Sequence, residues 1–510
     1  MFKMQKIYTV APLGLEGILV EVETNLSQHL PRTILVGLPD TAVQEARERV
    51  WAAIENSELH YPRKKVVINL APAQIRKEGG AYDLAIAISI LQASEQVELP
   101  ASPSQGGLDE KVAFIGELSL TGELKAVPGI LVMASALKSL GFSKVFLPST
   151  NTAEVAIISG IDIYPVDSLR QLADYLNKKN SIDPIKTKTF EPQVNKAAVD
   201  FASVKGQLSA KRVLEISAAG GHNVLLIGPP GAGKTMLAKA FLSILPPLDL
   251  KSALEISKIH SLAGLLSSDR PLVDQYLLRS PHHSSSVAAI VGGGSWPRPG
   301  EISLAHRGIL FLDEILEFPR VVLESLRQPL EDKVITVSRV RGSLDFPANF
   351  ILLAAANPCP CGFLTDQDRK CKCSVSEIER YQKRISGPLL DRIDLHLQVD
   401  KVKTQELGED IIAESSKNIC QRVVLARQQQ ESRADILNAN LDQRQIKEFC
   451  HLDDKSLNTL RQATDKLQLS ARAYFKVLKV ARTIADLAER EQIEEGDILE
   501  ALLYRARIFG

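Results

Sequence analysis

The residues whose types and spacing most directly imply chemistry are Gly228, Pro229, Pro230, Gly231, Ala232, Gly233, Lys234 and Thr235, which fill every position of a G-x-x-x-x-G-K-[ST] phosphate loop. Such a loop turns backbone N–H groups onto phosphate oxygens at a helix start, here at Met236, while Lys234 adds charge and Thr235 offers a hydroxyl to magnesium. ATP with Mg2+ is the expected ligand. The apolar run before Asp313 and Glu314 reads as a strand ending in two carboxylates. Asp313 would hold the magnesium through water, and Glu314 would accept a proton from the water attacking the γ-phosphate. A third apolar run ends at Asn357, whose amide suits a γ-phosphate and water sensor. Arg392, after the turn Ser386-Gly387-Pro388-Leu389-Leu390-Asp391, could reach a neighbouring subunit's γ-phosphate, which would make the enzyme a ring.

Four of the six cysteines lie in the pairs Cys359-Pro360-Cys361 and Cys371-Lys372-Cys373. Two such pairs can bring four thiolates to one tetrahedral ion, with structural Zn2+ the natural occupant, and two reduced turns without metal are the alternative. A clip here would stiffen the loop between Asn357 and Arg392 and has no catalytic part. Cysteines so clustered point to a metal site in a reducing compartment more than to a disulfide framework.

These groups need strands to carry them. Residues 223–227 read as a buried parallel strand, 236–242 as the helix after the loop, and Leu208 to Ala218 as a helix ending at Gly220-Gly221. At 510 residues the chain should hold two or three domains. Residues 1–175 read as mixed α/β, with strands near 7–10, 18–22, 33–36, 65–70, 111–115 and 144–147, and helices near 40–57, 84–91 and 128–140. Polar, proline-bearing residues 176–198 read as a linker, 199–400 as the ATPase core, and 401–510 as an all-α segment. In its helix 471–491, Lys476, Lys479 and Arg482 share a face that reads as solvated. Lys+Arg and Asp+Glu balance at 61 each, so any nucleic-acid contact must come from local loops or from a ring of subunits. No apolar run reaches membrane-spanning length, and residues 1–6 lead into a strand-like segment instead of a leader, so a cytoplasmic protein with no membrane partner is expected.

Gly300-Glu301-Ile302-Ser303-Leu304-Ala305-His306-Arg307-Gly308, the turn Asn357-Pro358-Cys359-Pro360-Cys361 and the segment from Pro388 to Leu395 resemble the YifB/ComM family of magnesium-chelatase-like AAA+ ATPases over nearly the whole chain. The resemblance implies an α/β fold: a P-loop AAA+ motor, a Lon-protease-like α/β domain before it and an all-α lid after it. In the Lon-like stretch Lys77-Glu78-Gly79-Gly80-Ala81-Tyr82-Asp83, Ala81 stands at the nucleophile position and Val127 at the general-base position. Neither side chain can do acyl transfer, so that domain reads as a scaffold without peptidase activity. Within the lid, the likeness places a second nucleotide sensor at Arg472.

In the wider clade, the segment 262–306 corresponds to a helix-two insert and 334–346 to a hairpin before the sensor strand, both pointing into the pore of ring helicases. That makes Arg339 and Arg341 at the hairpin tip, with Arg298, His282 and His283, the expected DNA contacts; a hexamer would assemble them into a basic collar that tracks phosphates. The ComM branch implies branch migration on single-stranded or branched DNA during natural transformation. The main rival is a chelatase-type remodeller driving a protein partner. A Lon-type protease is opposed by Ala81 and Val127, and an enhancer-binding activator by the missing G-A-F-T-G-A tip.

Overall fold

The computed structural model describes residues 6–37, 41–74, 77, 79–99, 111–195, 199–267, 269–294, 297–339, 342–366, 368–402 and 414–505. The chain divides into two compact units, one of Met1–Glu191 with Leu254–Val273, the other of Pro192–Ala253 with Asp274–Gly510.

The first unit is built on a seven-stranded sheet in the order Arg32–Val36, Lys65–Ala71, Glu16–Ser27, Ile7–Leu13, Val112–Phe114, Lys144–Pro148, Asp162–Val166. Strict alternation places Val20, Val22 and Thr24 inward along the long second strand. Helices Thr41–Asn56 and Asp83–Ala93 cover one face through Val43, Val50, Ile54, Leu84, Ile88 and Leu91. Helix Ile130–Ser139 covers the other through Leu131, Met133 and Leu137, and that same cluster contains both Ala81 and Val127. Asp83 is fully buried, with bonds of 2.9 and 3.1 Å from the Arg49 guanidinium and one of 3.2 Å from the Leu118 N–H. Burial nonetheless pushes its carboxyl up to about 6, against the pull of Arg49.

Part of the expected linker is anchored to this unit. Ile182 is buried in its core, and the Ile185 and Lys188 N–H groups donate to the Ile163 and Ala156 carbonyls at 2.9 and 2.8 Å. Apolar residues three apart gave that stretch something to bury despite its polar composition.

In the second unit a five-stranded sheet runs Leu278–Arg279, Ile309–Leu312, Ile351–Ala356, Val224–Ile227, Leu395–Gln398, with every pairing parallel. Its central strands are continuous apolar runs because both faces are covered. Val224 and Leu226 face helices Leu208–Gly220 and Lys234–Phe241, whereas Leu225 and Ile227 face a second cluster with Leu316, Leu323, Tyr381 and Leu389. Among the described residues, the α-helices Ser416–Ala434, Gln443–Phe449, Asp454–Leu467, Ala471–Leu487 and Glu495–Leu503 follow. Residues 403–413, where the first of these was expected to begin, lie outside the described residues. Ile419, Val423, Ile446, Leu460, Val477, Ile484 and Ile498 carry these helices into the same cluster as Val224 and Phe241.

The expected solvated face of helix Ala471–Leu487 is overturned. Lys476 is bound to the buried Asp394 carboxylate, Lys479 donates to the Ala439 carbonyl at 3.0 Å, and Arg482 is 1% exposed and paired with Asp486. Helical spacing identifies a shared face but not what covers it; here the carboxylates of Asp394 and Asp486 and the carbonyls of Ala439, Arg490 and Glu491 do so. Among the described residues no helix is long and apolar enough to cross a membrane.

Candidate functional site

The parallel register decides which residues meet. Ile227 lies opposite Ala356, and Leu312 opposite Ala354, so the chain leaves three adjacent strands at one edge through Gly228, Asn357 and Asp313. Ligands of open α/β sheets bind at this carboxyl edge. A Cβ on Gly228 would collide with the Val399 carbonyl, so the loop must start with glycine. Gly231 and Gly233 adopt φ of +80° and +84°, with open space where a Cβ would stand, and helix Lys234–Phe241 starts directly after them. The result is a glycine turn at a helix start, the shape of an anion cradle.

Lys234 is buried, donating to the Gly228 and Pro229 carbonyls at 2.5 and 3.0 Å and to Asn357 Oδ1 at 3.3 Å. Burial lowers its pKa, opposed by the carboxylates of Asp313 and Glu314. Thr235 Oγ1 donates to Asp313 Oδ2 at 2.9 Å. Two hard oxygens thus sit together at the loop, the donor set that magnesium takes from protein while keeping its waters and substrate phosphates. Met236 is exposed one residue on. Glu314, the other carboxylate, is exposed and held at φ 51°, ψ 48°, a left-handed conformation costing a non-glycine residue about 1–3 kcal/mol. Its N–H donates to Asp313 Oδ1 at 3.0 Å.

His283 occupies a place that sequence reasoning did not assign. Expected at a DNA-facing loop, its Nδ1 lies 3.9 Å from Glu314 Oε2, and its ring packs on His282 at 4.1 Å and edge-on to Phe318 at 6.4 Å. It follows the short strand Leu278–Arg279 at the sheet edge, and only that pairing, invisible as periodicity in so short a run, could have located it.

Arg392 and Arg472 come together at a different point. Both guanidiniums pair with Glu331, at the end of helix Arg327–Asp332: Arg472 Nη2 with Oε1 at 3.0 Å, and Arg392 Nη2 with Oε2. Arg392 also donates to the Pro388 carbonyl at 2.7 Å. A buried junction ties their elements: Asp394, two residues past Arg392, binds Lys476, one turn past Arg472, and accepts from the Asn223 N–H at 2.9 Å at the root of the phosphate-loop strand. Burial raises the Asp394 carboxyl, but the Lys476 ammonium and the His222 ring, whose Nδ1 lies 3.7 Å from Oδ2, together hold it well below the usual carboxylate range.

The inserts meet as well. Hairpin Val334–Arg339 with Gly342–Pro347 is rooted in the core by Ile335, Val337 and Phe346 and turns polar outward, with Thr336 bonded to Asp345 and Ser338 to Ser343. Gly292–Gly293 pairs with Arg298–Pro299, and the Arg339 guanidinium donates to the Gly292 carbonyl at 2.5 Å. Gly292 has φ +114°, and a Cβ there would press on Val337, so glycine permits the close approach. Arg298 and His282 are exposed; Arg341 lies outside the described residues.

The four clustered cysteines converge, all Sγ atoms lying within 4.8 Å of one another and three pairs at 3.4, 3.5 and 3.6 Å. A tetrahedral ion with sulfur at about 2.3 Å sets sulfurs about 3.8 Å apart, so the donor set fits a metal such as zinc. Their loop leans on the phosphate loop: at Gly362, φ +81°, a Cβ would lie 2.6 Å from Pro230 Cδ.

Comparison with known proteins gives this geometry a lineage. Residues 200–407 match the family described as magnesium chelatase, subunit ChlI; 22–151 match subunit ChlI of Mg-chelatase; and 413–505 match the ChlI C-terminal family. The protein YifB of Escherichia coli is 44% identical over 98% of this chain and 96% of its own length. Competence protein ComM of Haemophilus influenzae is 40% identical over 98% and 97%. The chain belongs to the YifB/ComM family of magnesium-chelatase-like AAA+ ATPases. Beyond this family, the magnesium-chelatase subunit ChlI of Euglena gracilis is 24% identical over 42% of the chain and 61% of that protein. YifB/ComM membership brings with it an AAA+ motor sheet, nucleotide and magnesium use, and the helical C-terminal region seen here.

Proposed function

We propose that the chain is an ATP-driven ring motor moving on DNA, a branch-migration helicase serving recombination during natural transformation, assembled as a hexamer and stiffened by zinc at its four clustered cysteines. The observation that carries the reading is the convergence of Lys234, Thr235, Asp313 and Asn357 at the sheet edge while the two inserts lock together at Arg339 and Gly292. A relative named for competence supplies the biological setting.

In this reading the glycine loop and Lys234 would hold the phosphates, and Thr235 with Asp313 would hold magnesium, which would supply charge neutralisation at the phosphate oxygens. Glu314 takes the proton of the water whose oxygen bonds to the γ-phosphorus, and the bond to the β-phosphate oxygen breaks. Asn357 orients that water, while Arg392 and Arg472 stabilise the departing charge. The hairpins, with Arg298, Arg339 and Arg341, and the exposed His282 on its own loop, would track the DNA backbone without reading bases.

The test measures ATP turnover with and without DNA for the native chain and for Arg339→Ala with Arg341→Ala, then movement of a three-stranded branch. Stimulation by DNA that the double variant loses, with basal turnover kept and branches moving only with hydrolysable ATP, supports the motor. A second reading, a remodeller driving a protein partner, is favoured by the chelatase descriptions of the matched families. It becomes the better one if DNA neither binds nor stimulates.

A further inference from the structure

Glu331 is an exposed carboxylate, one side of which holds Arg392 and the other Arg472. The two arginines come from separate elements: the turn after helix Gly387–Leu390 and the first turn of helix Ala471–Leu487. Neither position favours a cation for local reasons. Arg472 sits at the positive end of its helix, where the macrodipole repels it. Arg392 keeps only 14% of its side chain exposed, and its Nε is buried without a hydrogen-bond partner among the described residues. Two forks aimed at one oxyanion, with a donor to spare, form a receptor larger than a single carboxylate fills; a tetrahedral phosphate offers more oxygens and more charge.

From this we infer that Glu331 is an internal stand-in for phosphate: it occupies the anion site made by Arg392 and Arg472 and must be displaced when a second copy of the chain brings the terminal phosphate of its bound nucleotide there. The inference rests on the reading of these arginines as phosphate contacts. Glu331 serves two ends at once. It keeps the largely buried Arg392 paired in the separate chain, and it sets a threshold that only a better anion crosses. Because the carboxylate is 46% exposed and Arg472 57% exposed, solvent screens the contact, so the threshold is low and reversible.

The experiment follows ATP turnover of the full chain against protein concentration at saturating Mg-ATP, for native, Glu331→Gln, Arg392→Ala, the double variant, and Glu379→Gln as a neutralised exposed carboxylate elsewhere. Glu331→Gln is expected to lower the half-saturating protein concentration about fivefold, the scale of one screened ion pair, without lowering the plateau. That gain should vanish when Arg392 is already alanine, and Glu379→Gln should leave the curve in place. A lower plateau in Glu331→Gln, an unmoved curve, or the same shift in Glu379→Gln overturns the inference. If Arg392→Ala turns over like the native chain, the phosphate reading of the arginines itself is lost, whatever Glu331→Gln does.

Discussion

The two units treat a possible catalytic pair in opposite ways. Where the protease resemblance puts a nucleophile and a base, the first unit has Ala81 and Val127, and both are buried in one apolar cluster with Ile115 and Leu131. Where the phosphate loop predicts chemistry, the second unit sets an ammonium, a hydroxyl, a carboxylate and an amide at the open edge of a sheet, each bonded to another. Buried polar groups survive only when partnered. A site without reactive side chains is therefore free to close over with carbon.

The sharpest break in this comparison is kinetic. Glu314→Gln should cut ATP release of phosphate by about 100-fold or more, a loss of general-base assistance, whereas Ala81→Ser should produce no hydrolysis of a fluorogenic peptide. Peptide cleavage by either the native chain or that variant would remove the contrast. Stability gives the next largest effect. Val127→Lys should destabilise the first unit by about 3 kcal/mol in denaturant melts, since an ammonium would enter an apolar cluster. Lys234→Met should stay within about 1 kcal/mol of native stability, because the native ammonium already bears a burial cost.

Acid should separate the units. Burial, with Arg505 and Lys476 adding to it, lowers His396 to about 3, so in the fold it stays neutral. Below 6.5 the unfolded chain takes up a proton that the folded second unit refuses. Stability then falls with pH, by about 2 kcal/mol at pH 5. Asp83 runs the other way: its folded value near 6 exceeds its unfolded one, so the first unit gains about 1 kcal/mol as pH falls to 5. His396→Gln should flatten the pH dependence of the second unit's thermal transition between pH 7 and 5; an unchanged slope would exclude His396 as its source. The smallest effect concerns the metal. Cys371→Ser with Cys373→Ser should abolish bound zinc by elemental analysis and lower turnover less than about tenfold, through the loop resting on Pro230.

What the sequence disclosed and what it withheld divide along physical lines. The phosphate loop and the two strands ending in Asp313 and Asn357 were legible because continuous apolar runs, cut off by residues of special chemistry, are local signals. The register that makes their ends level follows once the sheet is parallel. Glu331 was not legible: it is one acid in a short helix, and its importance comes from two arginines that are 61 and 141 positions away. Lys476 was misread for the same reason, its partner Asp394 being 82 positions distant. The stretch 254–273 was read within the ATPase core, from residue 262 on as the start of its insert, yet it clusters with the first unit, where Ser261 Oγ donates to Glu154 at 3.0 Å.

The C-terminal helices share one apolar cluster with the strands and helices of the ATPase sheet. Burying a single continuous core ties those elements into one cooperative folding unit. A chain cut after residue 402 would strip cover from Val213, Phe241 and Ile244 and should aggregate instead of yielding a smaller ATPase. Amide exchange in helix Ala471–Leu487 should be as slow as in strand Val224–Ile227, and a hinge that lets these helices swing free of the sheet has no place in such a core. If the chain works as the ring proposed above, nucleotide-driven motion is to be sought between copies of this second unit and not between its helices and its sheet.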